Sequence, residues 1–83
     1  MQYYTYILKS KKDNSYYIGY TQDLIKRIKE HNKGLSKFTK SRRFYILVFK
    51  KEFKTRKEAI KYERYLKSLK KRMYLEKIIS SSN

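Results

Sequence analysis

The 83-residue sequence contains no cysteine, only seven acidic residues and no long apolar run. Without cysteine, the chain can form neither a disulfide framework nor a zinc site with thiolate ligands. No apolar run approaches the length of a signal-peptide core or a membrane span, so we expect a cytoplasmic protein that does not insert into a membrane. At this length we expect a single domain over residues 1–79, followed by a disordered tail at 80–83 that has nothing to bury.

The scarcity of acids leaves the chain strongly positive. Seven Asp and Glu residues stand against 23 Lys and Arg residues, which gives a net charge of +16. Such a field attracts polyanions and weakens as salt is added. Nucleic acid is therefore the expected partner, well ahead of an anionic membrane surface. Docking of the exposed aromatic residues on a protein partner is a further alternative.

The first half of the sequence predicts a β-hairpin followed by a helix. Tyr3 to Lys9 and Tyr16 to Tyr20 are rich in aromatic and β-branched residues and are separated by a turn-forming segment. Gln22 to Lys33 has the apolar spacing of a helix. Thr21 is the expected cap at its start, and Gly34 is placed to end it in a left-handed conformation.

The second half predicts one more strand and two more helices. Phe44 to Phe53 is a dense aromatic and aliphatic run, which indicates a central strand buried on both faces. Thr55 opens a capping box for a helix that should extend to about Leu66, and Ser68 is the expected cap of a third helix. The order ββαβαα is typical of an α+β fold with a small antiparallel sheet flanked by helices.

The segment between the first helix and the third strand is a candidate phosphate-binding loop. It mixes Ser, Thr, Lys and Arg without apolar periodicity, which indicates an exposed basic loop. Its candidate nucleic-acid-binding residues are Lys37, Lys40, Arg42 and Arg43. Such backbone contacts position a nucleic acid without reading its sequence.

Glu63 is the acid whose position stands out. On a helical wheel it lies in the same arc as Ala59, Tyr62 and Leu66, whereas the other acids lie in turns, caps or polar faces. A carboxylate on an apolar face needs a cation beside it. That cation could be a Lys or Arg side chain, or it could be Mg²⁺, which needs few protein carboxylates when water and phosphate supply its other ligands.

Arg27 and His31 are four residues apart on the first predicted helix, so they share one flank of it. A guanidinium suits the charge and geometry of a phosphate, and an imidazole can transfer protons near neutral pH. The alternative is that both are ordinary surface residues.

Tyr6 and Tyr17 lie on the two strands of the predicted hairpin, and Gly19 follows Tyr17 by two residues. A catalytic tyrosine needs a nearby cation, a metal-bound water or another hydroxyl to lower the pKa of its phenol. Gly19 would allow close approach to the backbone or form a bulge. In a chain with ten tyrosines, simple packing is the alternative for each phenol.

Taken together, these residues resemble the motifs of the GIY-YIG endonuclease family, specifically its minimal single-domain members. The first motif reads Tyr4-Thr5-Tyr6 and the second reads Tyr17-Ile18-Gly19; Arg27, His31 and Glu63 follow in the family's order. The first motif has Tyr and Thr in place of Gly and Ile. A C-terminal asparagine found in many members has no clear counterpart.

The resemblance implies hydrolysis of DNA phosphodiesters that depends on a single divalent ion, Mg²⁺ or Mn²⁺, held by Glu63. It also implies a three-stranded antiparallel sheet, phosphate stabilisation by Arg27, and a general base that is Tyr6, Tyr17 or His31. No DNA-binding domain is attached, so we expect structure-directed or nonspecific cutting. The open alternatives are a DNA- or RNA-binding module without turnover and a nuclease subunit that takes its specificity from a partner.

Overall fold

A computed structural model of the protein describes residues 2–34, 44–69 and 71–81. The elements are β1 (Tyr3–Ser10), β2 (Tyr16–Thr21), α1 (Leu24–Asn32), β3 (Tyr45–Phe53), α2 (Arg56–Ser68) and α3 (Arg72–Ser81). This order confirms the predicted α+β fold with the sequence ββαβαα. Within the described residues, no helix has both the length and the apolar character needed to cross a bilayer.

The three strands form one antiparallel sheet in the order β2-β1-β3. The prediction of a central strand over Phe44 to Phe53 was wrong, because β1 is the strand that pairs on both sides. The four residues Thr5–Leu8 of β1 are all buried, whereas Ile46 and Leu47 of β3 are 43% and 37% exposed. The apolar run of β3 therefore belongs to an edge strand.

Side chains of β1 alternate between two cores, one on each face of the sheet. Tyr6 and Leu8 pack with Tyr45 on the face that α1 covers, where Leu24 and Ile28 complete the cluster. The opposite face carries Ile7, Phe49, Leu66 and Leu75 and is covered by α2 and α3. Because successive residues of a strand point to opposite faces, β1 links the two cores.

The first helix begins later than its sequence indicates. Asp23, and not Thr21, is the N-cap, because its Oδ1 accepts a hydrogen bond of 3.0 Å from the Lys26 N–H. Thr21 Oγ1 instead accepts from the Asp23 N–H at 3.2 Å. Gly34 ends the helix as predicted, with φ at 77°, and its N–H donates to the His31 carbonyl.

The ends of α2 and α3 confirm one predicted cap and contradict another. Thr55 caps α2, and its Oγ1 accepts from the Glu58 N–H at 3.2 Å. Ser68 does not cap the third helix; it is the last residue of α2, where its hydroxyl donates to the Tyr65 carbonyl at 2.6 Å. The third helix extends to Ser81, two residues past the expected end of the domain.

Candidate active site

Tyr6 lies across the hairpin from Gly19, and its side chain covers the glycine backbone. The two residues are register partners in β1 and β2. A Cβ atom at position 19 would lie 2.6 Å from Tyr6 Oη, 2.8 Å from Tyr6 Cζ and 3.1 Å from a ring carbon of Tyr17. Glycine is therefore required here by space, and the group that approaches its backbone is the phenol of Tyr6. The β1–β2 register runs through this pair without a bulge.

His31 is the second member of the site and is buried inside a ring of tyrosines. It is 0% exposed, and its Nε2 is hydrogen-bonded to Tyr6 Oη at 3.1 Å. Its ring centroid lies 4.7 Å from that of Tyr17, 6.1 Å from that of Tyr6 and 6.0 Å from that of Tyr45. The expectation of a histidine on a helix flank thus underestimated its burial, since the aromatic side chains of all three strands enclose it.

Burial sets the protonation of this pair. It lowers the pKa of His31 to about 4, and the positive charge of Arg27 acts in the same direction. Burial also raises the pKa of Tyr6 to about 12, although its interaction with Arg27 opposes the rise. At neutral pH the site therefore holds a neutral imidazole next to a neutral phenol, and the two share one hydrogen bond.

Arg27 lies at the solvent side of the pair, on the same flank of α1 as His31. Its guanidinium Nη1 lies 3.1 Å from Glu30 Oε1, and the two side chains are 36% and 32% exposed. The guanidinium also interacts with the Tyr6 hydroxyl. Arg27 therefore connects the buried phenol with the surface, where an anion could reach it.

Glu63 approaches the same phenol from α2. Its side chain is 14% exposed, and Lys67 Nζ lies 3.7 Å from its Oε1. The ion pair predicted as one alternative for Glu63 is therefore formed, with a partner four residues along the helix. The negative charge of Glu63 also contributes to the raised pKa of Tyr6, so the carboxylate lies within electrostatic reach of that hydroxyl.

The predicted catalytic residues share the hydroxyl of Tyr6 as the group that they bond to or act on electrostatically. His31 bonds to it, and Tyr17, Arg27 and Glu63 each influence its ionisation. These residues come from β1, β2, α1 and α2. The structure thus brings together five side chains that are dispersed over 58 positions of sequence, from Tyr6 to Glu63.

Asn32 helps to position this site, although its sequence position predicted no role for it. Its side-chain oxygen accepts a hydrogen bond of 2.6 Å from the Tyr45 N–H, and its side-chain nitrogen donates to the Tyr45 carbonyl at 3.2 Å. The two bonds fasten the end of α1 to the start of β3 and so fix the depth of His31. The only hint in the sequence is that Asn32 directly follows His31.

Thr5 forms a corresponding link between β1 and α2. Its buried hydroxyl donates to the Ala59 carbonyl at 2.7 Å, one helical turn before Glu63. The threonine of the first motif thus anchors the helix that carries the acid. Sequence patterns could not reveal this bond, because it joins residues 54 positions apart.

The four basic residues predicted to bind phosphate lie outside the described residues. Lys37, Lys40, Arg42 and Arg43 belong to the segment 35–43. Their role remains a prediction from sequence.

Comparison with known proteins places this arrangement in a family. A model of the GIY-YIG catalytic domain matches residues 2–77 of the chain. The chain belongs to the GIY-YIG family. This is a nuclease family whose members generally depend on divalent metal ions. The resemblance carried by the sequence motifs is therefore confirmed over nearly the whole length.

Relatives of this GIY-YIG domain carry the family designation UPF0213. UPF0213 protein YazA of Bacillus subtilis is 47% identical over 78 residues, which cover 89% of this chain and 78% of YazA. UPF0213 protein SH2523 of Staphylococcus haemolyticus is 40% identical, and the match covers 93% of this chain and 94% of the relative. The solution NMR structure of UPF0213 protein BH0048 from Bacillus halodurans is 40% identical, has a TM-score of 0.62, and covers 96% of this chain and 84% of that one.

The donor set of this GIY-YIG site fits a divalent ion that takes most of its ligands from outside the protein. Within the parts of the chain that the structure describes, no group of three or more His, Asp or Glu side chains comes together. Glu63 supplies one carboxylate at the edge of the site. Mg²⁺ is commonly held by one or two carboxylates, with water and phosphate oxygens completing its shell. Lys67, 54% exposed, can turn away into solvent when such an ion binds.

Proposed function

We propose that the protein is a metal-dependent endonuclease that hydrolyses DNA phosphodiesters, either structure-directed or nonspecific. The observation that carries this proposal is the environment of Tyr6, whose hydroxyl has a proton acceptor, a cation and a carboxylate around it. Phosphodiester hydrolysis needs these three functions: a route for the proton of the attacking water, positive charge for the phosphate, and a ligand for the metal ion.

Tyr6 and His31 form the proton route. At neutral pH the imidazole of His31 is neutral, and in its Nδ1–H tautomer the Nε2 lone pair can accept the proton of the Tyr6 hydroxyl. The oxygen of Tyr6 then accepts a proton from the attacking water, so the phenol is restored and His31 carries the charge. The low pKa of His31 disfavours that charge in the empty site. An anionic phosphate bound nearby raises the pKa and makes the transfer easier.

Arg27 supplies positive charge on the solvent side of this route. A guanidinium has five N–H donors in one plane, and Glu30 engages one of its nitrogens. The remaining donors suit two oxygens of a phosphate. As negative charge builds on the phosphoryl oxygens in the transition state, Arg27 stabilises it more strongly than in the ground state, which lowers the barrier.

Glu63 is the residue that would hold Mg²⁺ or Mn²⁺. Such an ion, when bound, acts as a Lewis acid toward the phosphoryl oxygens. Tyr17 packs against both Tyr6 and His31 and holds their rings in position, with centroid distances of 6.4 Å and 4.7 Å. Gly19 leaves the space that Tyr6 occupies.

A second function is a nucleic-acid-binding module without turnover. The Glu63–Lys67 ion pair favours it, because a lysine next to the carboxylate competes with a metal ion for the same oxygens. In such a module Glu63→Gln leaves DNA affinity unchanged or improves it, since the variant removes a negative charge.

A cleavage assay separates the two functions. Linear, nicked, flapped and branched DNA would be incubated with the wild-type protein and Mg²⁺ or Mn²⁺, next to Tyr6→Phe and Glu63→Gln. Loss of either group should reduce cutting by about 100-fold to 10,000-fold. Tyr74→Phe on α3 and Glu52→Gln on β3, both at exposed positions, are the matched controls and should cut like wild type. Absence of cutting by wild type, or equal cutting by all variants, contradicts the nuclease.

A further inference from the structure

One flank of α2 faces β2 and carries the carboxylate of Glu63 together with positively charged side chains. At 100° per residue, Arg56, Glu63 and Lys67 fall within an arc of about 40°. Arg64, in contrast, lies on the outer, exposed side of the same helix. The flank that holds Glu63 is therefore positively charged on both sides of the carboxylate.

Two arginines contact tyrosines at the two ends of β2. Arg56 Nη2 donates to Tyr20 Oη at 3.1 Å, and its Cζ lies 5.8 Å from the ring centroid. Arg72, the first residue of α3, has its Cζ 4.3 Å from the centroid of the Tyr16 ring. Tyr16 and Tyr20 are four residues apart, so they project from the same face of the strand.

These two contacts lie on either side of the candidate active site when measured along β2, but Tyr16 and Tyr20 point to the α2 face of the sheet, whereas Tyr17 points to the α1 face. The Tyr6 hydroxyl reaches the β2 edge over Gly19, and Glu63 lies between the two arginines along α2 and α3. Four residues of strand span ~13 Å. About four stacked base pairs occupy the same length at 3.4 Å each. A nucleic-acid backbone that follows this edge would meet one arginine before the site and the other after it.

Neither the helix dipole nor surface ion pairing explains the charge of the two arginines. Arg56 is the first residue of α2, where the helix dipole disfavours a cation. Arg72 pairs with Glu76 at 3.4 Å, but both side chains are about half exposed and such pairs contribute little. The Arg72 guanidinium lies over the Tyr16 ring, and the Arg56 guanidinium uses one nitrogen on the Tyr20 hydroxyl, so each keeps further N–H donors that suit a phosphate.

We propose that Arg56 and Arg72 bind backbone phosphates on either side of the scissile phosphodiester, so that a nucleic-acid strand runs along β2 and the adjoining flank of α2. The two tyrosines act as supports that hold each guanidinium in place. Cleavage of the phosphodiester between them rests on the proposed nuclease function, whereas the binding of phosphates by the two arginines does not.

Salt dependence of binding tests this surface without any cleavage. Affinity for a fluorescent DNA duplex would be measured by anisotropy over a range of salt concentrations, in the absence of divalent metal. Each phosphate contact contributes roughly 0.9 to the slope of log affinity against log salt. Arg56→Gln and Arg72→Gln should each reduce the magnitude of the slope by about 0.9. Arg64→Gln, which removes the same charge from the outer side of α2, should leave it unchanged.

Charge-preserving variants guard against effects on folding. Arg56→Lys and Arg72→Lys lose the planar stack but keep the charge, so they should retain most of the slope, with thermal unfolding as a check on structure. Equal slopes for Arg56→Gln, Arg72→Gln and Arg64→Gln overturn the proposal, even if the protein cuts DNA. Reduced slopes for the first two alone support it, even if wild type and Glu63→Gln both fail to cut.

Discussion

The phenol of Tyr6 occupies the space that any side chain at position 19 would need, since a Cβ atom on Gly19 would lie 2.6 Å from Tyr6 Oη. The glycine and the first tyrosine are thus two halves of one packing arrangement across the hairpin. The position of the hydroxyl next to His31 depends on it.

Gly19→Ala should move the Tyr6 ring and so break its alignment with His31. We expect a loss of stability of about 1–3 kcal/mol from overpacking, and a fall in cleavage of about tenfold or more because the hydroxyl is displaced. Gly34→Ala is the matched control: it strains the end of α1, where φ is 77°, but places no atom against Tyr6. Chemical denaturation and DNA cleavage would be measured for both. If Gly19→Ala and Gly34→Ala lost the same amount of cleavage for the same loss of stability, the steric role of position 19 would be contradicted.

The single histidine should titrate far below its usual range. Burial lowers the pKa of His31 from 6.5 to about 4, so the folded state binds its proton less readily than the unfolded chain. Its contribution to stability is therefore present above pH 6.5 and is lost as the pH falls toward 4. The full effect would be about 3 kcal/mol. An NMR titration of the imidazole protons needs no assignment, because the chain contains one histidine. A midpoint near 6.5 would show that the ring is not buried as described.

Asn32→Asp should remove one of the two hydrogen bonds that join α1 to β3 and keep the other. The aspartate can still accept from the Tyr45 N–H, but it no longer donates to the Tyr45 carbonyl. We expect both variants to lose stability, because Asn32→Ala removes both bonds and Asn32→Asp sets a carboxylate oxygen against the Tyr45 carbonyl; Asn32→Ala should cost about 1–3 kcal/mol. Denaturation curves would measure both losses. Wild-type stability in the two variants would mean that the side chain of Asn32 does not fasten the helix.

Metal binding should depend on Glu63 and be limited by Lys67. Glu63→Gln should abolish binding of Mn²⁺ measured by electron paramagnetic resonance. Lys67→Met removes the ammonium that lies 3.7 Å from the carboxylate, so the variant should bind Mn²⁺ several-fold more tightly. Lys61→Met, on the exposed side of α2, is the control for net charge. Equal gains from both lysine variants would show that overall charge, and not the ion pair, sets the affinity.

Thr5→Val should weaken the attachment of α2 to the sheet. Valine fills similar space but cannot donate to the Ala59 carbonyl, a bond of 2.7 Å inside the core. We expect a loss of about 1 kcal/mol in the free energy of unfolding. Thr21→Val, at a half-buried position on the hairpin's second strand, provides a comparison outside this link. If Thr5→Val were as stable as wild type, this hydrogen bond would not contribute to holding α2 on the sheet.

The sequence revealed the order of elements but not the arrangement of the sheet. Alternating aromatic residues marked the hairpin, and the Thr55 capping box marked the start of α2, because both are local patterns. The apolar run of β3 was misread as a central strand, since its length and hydrophobicity do not show which neighbour it pairs with. Caps were misplaced at Thr21 and Ser68 because several polar residues near each helix end compete for the free backbone groups.

The sequence predicted which residues belong to the candidate site, but it did not predict how deeply they are buried or what surrounds them. Helical spacing put Glu63 on an apolar face, and the structure places that side chain 14% exposed. The same reasoning placed His31 on a flank of the helix. Helical spacing could not show that Tyr17 and Tyr45 pack against its ring. Contacts between distant elements, such as those of Asn32 with Tyr45, depend on tertiary packing that no local pattern contains.

On the proposed nuclease function, the assembly of four elements around the Tyr6 hydroxyl makes DNA cleavage a reporter of folding. A partly folded chain that has formed the hairpin and α1 holds Tyr6, Tyr17, Arg27 and His31, yet lacks the carboxylate that α2 delivers. Such an intermediate has no complete site and should leave DNA intact. Recovery of cleavage during refolding should therefore coincide with the docking of α2, and any delay after the hairpin and α1 have formed would time that docking.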